Sequence, residues 1–196
     1  MRVREGAKEQ AILHAAVKVF AQRGYHEAKI SSIAEKAKVA TGSVYLYFHN
    51  KEEILVTLFE RLWTGVLARA SAETSRKERT PEENLMALVD LVFDAFHRNP
   101  DLATVFVNEQ HRLLVQRKGE SIHAYDEFLD LAMHIIKEGV RSRSFRGDVD
   151  LNFLRHFVLG GLRSILRLWA EQPNAYPLEN IRTNVKQLIM HGLAGE

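Results

Sequence analysis

The 196 residues include no cysteine, which excludes disulfides, thiolate metal sites and cysteine nucleophiles and fits a reducing compartment. Proline is scarce too, with only Pro81, Pro100, Pro173 and Pro177 present. No uninterrupted apolar run approaches the roughly 20 residues that a membrane-spanning helix needs. The basic start, residues 1–10, leads into an apolar stretch broken by His14 and Lys18 and has no small-residue cleavage pattern, so it does not read as a signal peptide. A soluble, cytoplasmic protein of one or two domains is expected. A strong charge of one sign is also missing, since 27 Lys/Arg against 25 Asp/Glu leave a net charge of only +2. The balance is uneven along the chain: residues 1–51 hold 9 Lys/Arg against 4 Asp/Glu, and the remainder is mildly acidic. A basic first quarter on an acidic body is the pattern of a segment that meets a polyanion, although a solvated face has the same signature.

What is present is helical periodicity. Apolar residues recur at three- and four-residue steps throughout and do not alternate, which predicts an all-α fold of about nine helices without strands or repeats. The first helix is expected over about 5–23, with Ile12, Ala15, Ala16, Val19 and Phe20 inward and Gly24 as its left-handed stop. Two short segments, 32–37 and 41–47, follow, and only Lys38-Val39-Ala40 separates them, which is a helix-turn-helix arrangement. Asn50 caps a long helix from Lys51 to about Ser75. Thr80-Pro81-Glu82-Glu83 is a capping box with proline at the first helical position, and it starts a helix that ends near Pro100. Further helices are expected over about 101–115, 121–140, 150–170 and 178–193, with Asp148 or Asp150 capping the penultimate one. The organisation read from this is a helix-turn-helix DNA-binding domain, residues 1–50, and a ligand-binding and dimerisation domain, residues 51–196.

The segment 31–51 reads as a DNA reader. Ile30, Ile33, Ala34, Ala37, Val39 and Val44 are spaced to pack two small helices on the first one, and Phe48 reads as core. Thr41, Ser43, Tyr45, Tyr47 and His49 are left to face outward. Tyr45 and Tyr47 are two apart, so on a helix they cannot both point inward. A recognition helix presents its first residues to base edges while its flanks bond phosphates. Thr41 and Ser43 offer hydroxyls, Gly42 permits close approach, and Ser31 and Ser32 add hydroxyls on the preceding helix. Lys29 and Lys51 supply charges to the phosphate backbone, as do Arg2, Arg4 and Lys8.

Gly24-Tyr25, Ile33-Ala34, Ala37, the run from Val39 to Phe48, and Lys51-Glu52 with Leu55 together resemble the N-terminal domain of the tetracycline-repressor (TetR) family. The resemblance implies a homodimeric repressor with a three-helix DNA-binding domain and a larger ligand-sensing helical domain. It further implies that Thr41, Tyr45, Tyr47 and Lys51 meet phosphates and that Gly42 and Ser43 lie where bases approach. Gly24-Tyr25-His26 and Tyr45 through Glu52 with Ile54-Leu55 are similar to the fatty-acid-degradation regulators (FadR) of the Bacillus and Thermus type, which release DNA on binding long-chain acyl-CoA.

Bulky apolar residues of the second part, Trp63, Phe93, Phe96, Phe106, Phe128, Ile135 and Phe157, are candidates to line an acyl tunnel, and each is equally suited to core packing. Arg112, Arg117 and Lys118 form a basic cluster suited to coenzyme A phosphates. The last two long helices, with Gly160 and Gly161 flanked by apolar residues, are expected to form the homodimer that reads a palindromic operator. The same glycines would also serve packing within one chain. A different effector, such as a drug, an aromatic acid or a quorum signal, is the alternative. An enzyme is not expected: Glu120 and His123 make one Glu-x-x-His step, but a di-iron bundle needs a second. The 9 histidines are scattered singly, and neither a cofactor nor a metal is expected.

Overall fold

A computed structural model describes residues 2–76, 78–111 and 122–194, with the side chains of 2–5 and 110–111 undescribed. Among the described residues there are nine α-helices and no strand. They are α1 (Arg2–Arg23), α2 (Ile30–Ala37), α3 (Thr41–Val44), α4 (Lys51–Thr74), α5 (Pro81–His97), α6 (Pro100–His111), α7 (His123–Ser142), α8 (Leu151–Glu171) and α9 (Leu178–Leu193). None of these helices is long and apolar enough to cross a membrane. The chain divides into two compact units, Met1–Arg61 with Asp101–Ile122, and Leu62–Pro100 with His123–Glu196.

In the first unit, the predicted stripe of α1 is its core: Ile12, Ala15, Ala16, Val19 and Phe20 are all buried. Gly24 stops α1 at φ +76, a left-handed conformation that costs glycine little, and its N–H closes on the Phe20 carbonyl at 2.9 Å. Ile33 and Ala34 of α2 and Val44 of α3 are buried as well. The turn between α2 and α3 is made by Lys38 at φ 57, whose N–H reaches the Ala34 and Glu35 carbonyls. The second short helix is shorter than its sequence pattern predicts. It ends at Val44 and the chain continues as a turn over 45–47, where the N–H groups of Tyr47 and Phe48 both reach the Val44 carbonyl at 3.0 Å.

α4 buries Ile54, Leu55, Leu58 and Phe59 in the first unit and Trp63, Val66 and Ala70 in the second. Leu62 and Leu67 sit at the edge of that stripe and are half-buried. In the second unit α5 packs against α7 and α9, and α8 against α9. The capping box of α5 forms as predicted: Thr80 Oγ1 accepts from the Glu83 N–H at 3.2 Å and Glu83 Oε2 from the Thr80 N–H at 2.9 Å. Asp150, not Asp148, caps α8, accepting from the Phe153 N–H at 2.8 Å. Asp148 instead meets the Arg146 guanidinium at 2.6 and 2.5 Å, and this hydrogen bonding holds its carboxyl down to about 2. The loop between α7 and α8 is pinned at Phe145, whose N–H reaches the Gly139 carbonyl at 3.0 Å and which forms an isolated bridge with Ala194.

Candidate nucleic-acid interface and ligand groove

The N-terminal reading surface follows from where α2 and α3 spend their apolar residues. With Ile33, Ala34, Val44 and Phe48 buried, the side chains between them are turned outward. Thr41 and Gly42 are exposed, Ser43 is half-buried, and no side chain caps the start of α3. Tyr45 is 53% exposed and Tyr47 half-buried, so the pair flanks the surface on which Leu46 stands 81% exposed. Lys29 and Ser31 are exposed, while the Ser32 hydroxyl accepts from Arg23 Nη1 at 3.2 Å. His49 is exposed, and its backbone N–H donates to Glu53 Oε2 at 2.6 Å. Asn50 caps α4 as predicted, its Oδ1 accepting from the Glu53 N–H at 2.9 Å.

Lys51 departs from the expected picture of a side chain extended to solvent. Its ammonium donates to the carbonyls of Tyr25 at 2.8 Å, His26 at 2.7 Å and Ala28 at 3.3 Å, and it lies 4.7 Å from the centre of the Tyr25 ring. Sequence reasoning missed this because the three carbonyls belong to a turn 23 to 26 residues away.

The second unit contains an apolar groove between α5, α7, α8 and α9. Phe93 and Phe128 from the expected ligand set line it, joined by Leu88, Val92 and Met133, which were not singled out in the sequence. Arg155 is the one charged residue on its wall and pairs loosely with Asp130 at 3.9 Å. Trp63 lies behind the lining, its ring centre 5.2 Å from that of Phe128 and 4.7 Å from that of Tyr125. Phe96 and Ile135 are buried core residues that do not line the groove. Phe106 belongs to the first unit, against Phe59 at 5.3 Å. Phe157 is 70% exposed on α8, stacked on Phe153. Arg112, Arg117, Lys118 and Glu120 lie outside the described residues.

One further feature of the groove is electrostatic. Arg182 of α9 lies 5.9 Å from the Phe93 ring and donates to Asp94 Oδ1 at 2.7 Å, while Lys186 donates to Asp90 Oδ2 at 2.7 Å. These pairs join α9 to α5. Among the described residues no group of three or more His, Cys, Asp or Glu side chains could hold a metal ion.

A helix-turn-helix with an outward polar and aromatic reading surface, followed by a helical unit with an apolar groove, defines the class of ligand-responsive DNA-binding regulators. The chain belongs to the TetR family: residues 12–58 match the bacterial regulatory proteins of the tetR family, and residues 60–192 match the YsiA-like C-terminal region. It is 30% identical over 189 residues to the fatty acid metabolism regulator protein of Bacillus subtilis strain 168, covering 95% of each chain. The solved fatty acid degradation regulator FadR of Bacillus halodurans superposes with a TM-score of 0.82 at 30% identity, over 96% of this chain and 97% of that one. FadR from Bacillus subtilis, solved in complex with stearoyl-CoA, superposes at 0.74 with 28% identity, over 93% and 98%. These relatives are transcriptional regulators and not enzymes, and the chain is a TetR-type repressor homologous to FadR.

Proposed function

We propose that this protein is a cytoplasmic homodimeric repressor of fatty-acid-degradation genes that leaves its operator when long-chain acyl-CoA binds. In this reading residues 1–50 read DNA and 51–196 sense the ligand and dimerise. Thr41, Gly42, Ser43, Tyr45 and Tyr47 meet a palindromic operator, flanked by Lys29, Ser31, Ser32 and His49. The acyl chain enters the groove lined by Phe93 and Phe128, and Arg112, Arg117 and Lys118 serve the coenzyme A phosphates.

The observation that carries the reading is the groove's lining. Apart from Arg155, every described residue on it is apolar, which suits a hydrocarbon chain and offers an aromatic acid or a polar drug few hydrogen-bond partners. Burial contributes roughly 0.8 kcal/mol per methylene, so chain length alone sets affinity over a wide range. Binding moves the equilibrium only by the ligand's preference for the DNA-free state, typically about 1–3 kcal/mol of coupling.

Dimerisation is proposed through α8 and α9. Phe153, Phe157 and Leu188 are 65%, 70% and 70% exposed there. A Cβ added at Gly160 or Gly161 would meet nothing within 4 Å, so no described neighbour uses the space these glycines leave.

Native mass spectrometry of the protein as purified from a bacterial host tests the effector. A mass increment matching a long-chain acyl-CoA is expected. An increment matching an aromatic acid or a drug-like molecule would overturn the acyl-CoA reading in favour of another effector.

A further inference from the structure

One end of the apolar groove is built differently from its walls. Along α8 the lining residues Leu154, Arg155, Val158 and Leu162 are half-buried, which leaves that side of the groove open. Phe93 and Phe128 are the two aromatic residues among the described lining, and both are buried, at 0% and 6% exposure. Phe93 is the last lining residue of α5 and Phe128 the first of α7. The start of α5 lies beside the end of α7, where the Ser144 hydroxyl bonds the Glu82 carboxylate. The two packed helices therefore run antiparallel, and both rings belong to the same end of the groove.

A second layer stands behind each ring. Trp63, itself buried, has its ring centre 5.2 Å from that of Phe128. Arg182 lies 5.9 Å from the Phe93 ring, and its guanidinium is held by Asp94 at 2.7 Å, Glu179 at 3.5 Å and Asp90 at 3.8 Å. A ring with packed and paired groups behind it cannot swing aside for a ligand without disturbing them. A chain advancing along the groove meets a fixed stop there.

A stop measures length only when the other end of the ligand is fixed as well. Arg155 supplies that origin. Its side chain is 33% exposed, and Asp130, 76% exposed and 3.9 Å away, is too distant for a hydrogen bond. The guanidinium keeps N–H donors for an oxygen brought into the groove. An acyl group carries one such oxygen, its carbonyl, which is costly to leave unpaired in apolar surroundings.

We infer that the groove is a length gauge: the acyl carbonyl stands at Arg155 and the methyl end stops against Phe93, so that Phe93 sets the longest chain gaining from full burial. The inference rests on the acyl-CoA reading proposed above. It assigns to Phe93 a role in specificity distinct from that of the other apolar lining residues.

Calorimetry with saturated acyl-CoAs of about 8 to 20 carbons, each kept below its critical micelle concentration, tests this. In the unmodified protein each added methylene should tighten binding about fourfold until the chain reaches the stop, where affinity ceases to rise. Phe93→Leu, a mild change expected to fold, should move that break about two carbons longer, and Phe93→Ala about four. Leu88→Ala enlarges the groove on the same helix away from the stop and should leave the break in place. Arg155→Met should weaken every length about tenfold through the lost hydrogen bond. A break that stays put in the folded Phe93→Leu variant, or moves as far in Leu88→Ala, would overturn the gauge, and unchanged affinity in Arg155→Met would overturn its origin. Release of the unmodified protein from a duplex that it selects from a random pool, followed by fluorescence anisotropy across the same series, tests the underlying reading separately. Binding with a break that Phe93→Leu moves, but without release, would overturn that reading and uphold the gauge, whereas absence of binding at every length would overturn both.

Discussion

Tyr45, Leu46 and Tyr47 show how much a single residue's surroundings decide. Two tyrosines two apart on a helix cannot both face inward, and Tyr45 is 53% exposed while Phe48, three residues further on, is 3% exposed. The reading of Phe48 as core and Tyr45 as surface needed only the period of the apolar residues. The inward turn of Lys51 needed the folded turn 25–28 and was not legible in sequence. Removing the exposed hydroxyl in Tyr45→Phe is expected to weaken operator binding by about 1 kcal/mol, roughly fivefold, as one phosphate hydrogen bond is lost. The thermal midpoint should stay where it was, because the hydroxyl is outside the core. Anisotropy titration alongside a melting curve checks both parts, and unchanged affinity would remove Tyr45 from the reading surface.

Elements whose boundaries are set by local chemistry were readable in advance. The Thr80-Pro81-Glu83 start of α5 and the Asp150 cap of α8 need only a few adjacent residues, and both form. The ligand wall is different. Phe93 and Phe96 are three apart on the same helix and both fully buried, yet only Phe93 reaches the groove, because the curvature of the wall depends on α7, α8 and α9. Gly139 is another contact invisible to sequence: a Cβ there would lie 2.1 Å from the ring of buried Phe145, which closes the loop against the end of α9. Gly139→Ala should therefore destabilise the protein by about 1–3 kcal/mol, as overpacking displaces the ring. Urea denaturation of the variant measures this, and a midpoint equal to that of the parent would show that Phe145 can move without cost.

At the scale of the whole molecule, the near-neutral charge is the sum of a basic reading segment and a mildly acidic sensing body. The second body also carries exposed apolar side chains. On α8 only Leu166 and Trp169 are buried, and its stacked Phe153 and Phe157, with Leu188 of α9, stand open. In the proposed dimer this face would meet a second copy, a two-fold axis presenting the same patch from both chains. Two reading heads about 34–36 Å apart would then span one turn of DNA. Phe157→Lys should convert the dimer to a monomer in light-scattering chromatography and abolish tight binding to the palindrome. A variant that remains dimeric would place the interface elsewhere.

In the proposed function, occupancy of the apolar groove by a long acyl chain switches DNA binding off. The most direct measurement follows the protein bound to its selected duplex as stearoyl-CoA, free coenzyme A or stearate is added, with anisotropy as the readout. Release by stearoyl-CoA, with little effect of free coenzyme A at the same concentration, is the predicted result. A complex that stays intact through the stearoyl-CoA titration would contradict the account.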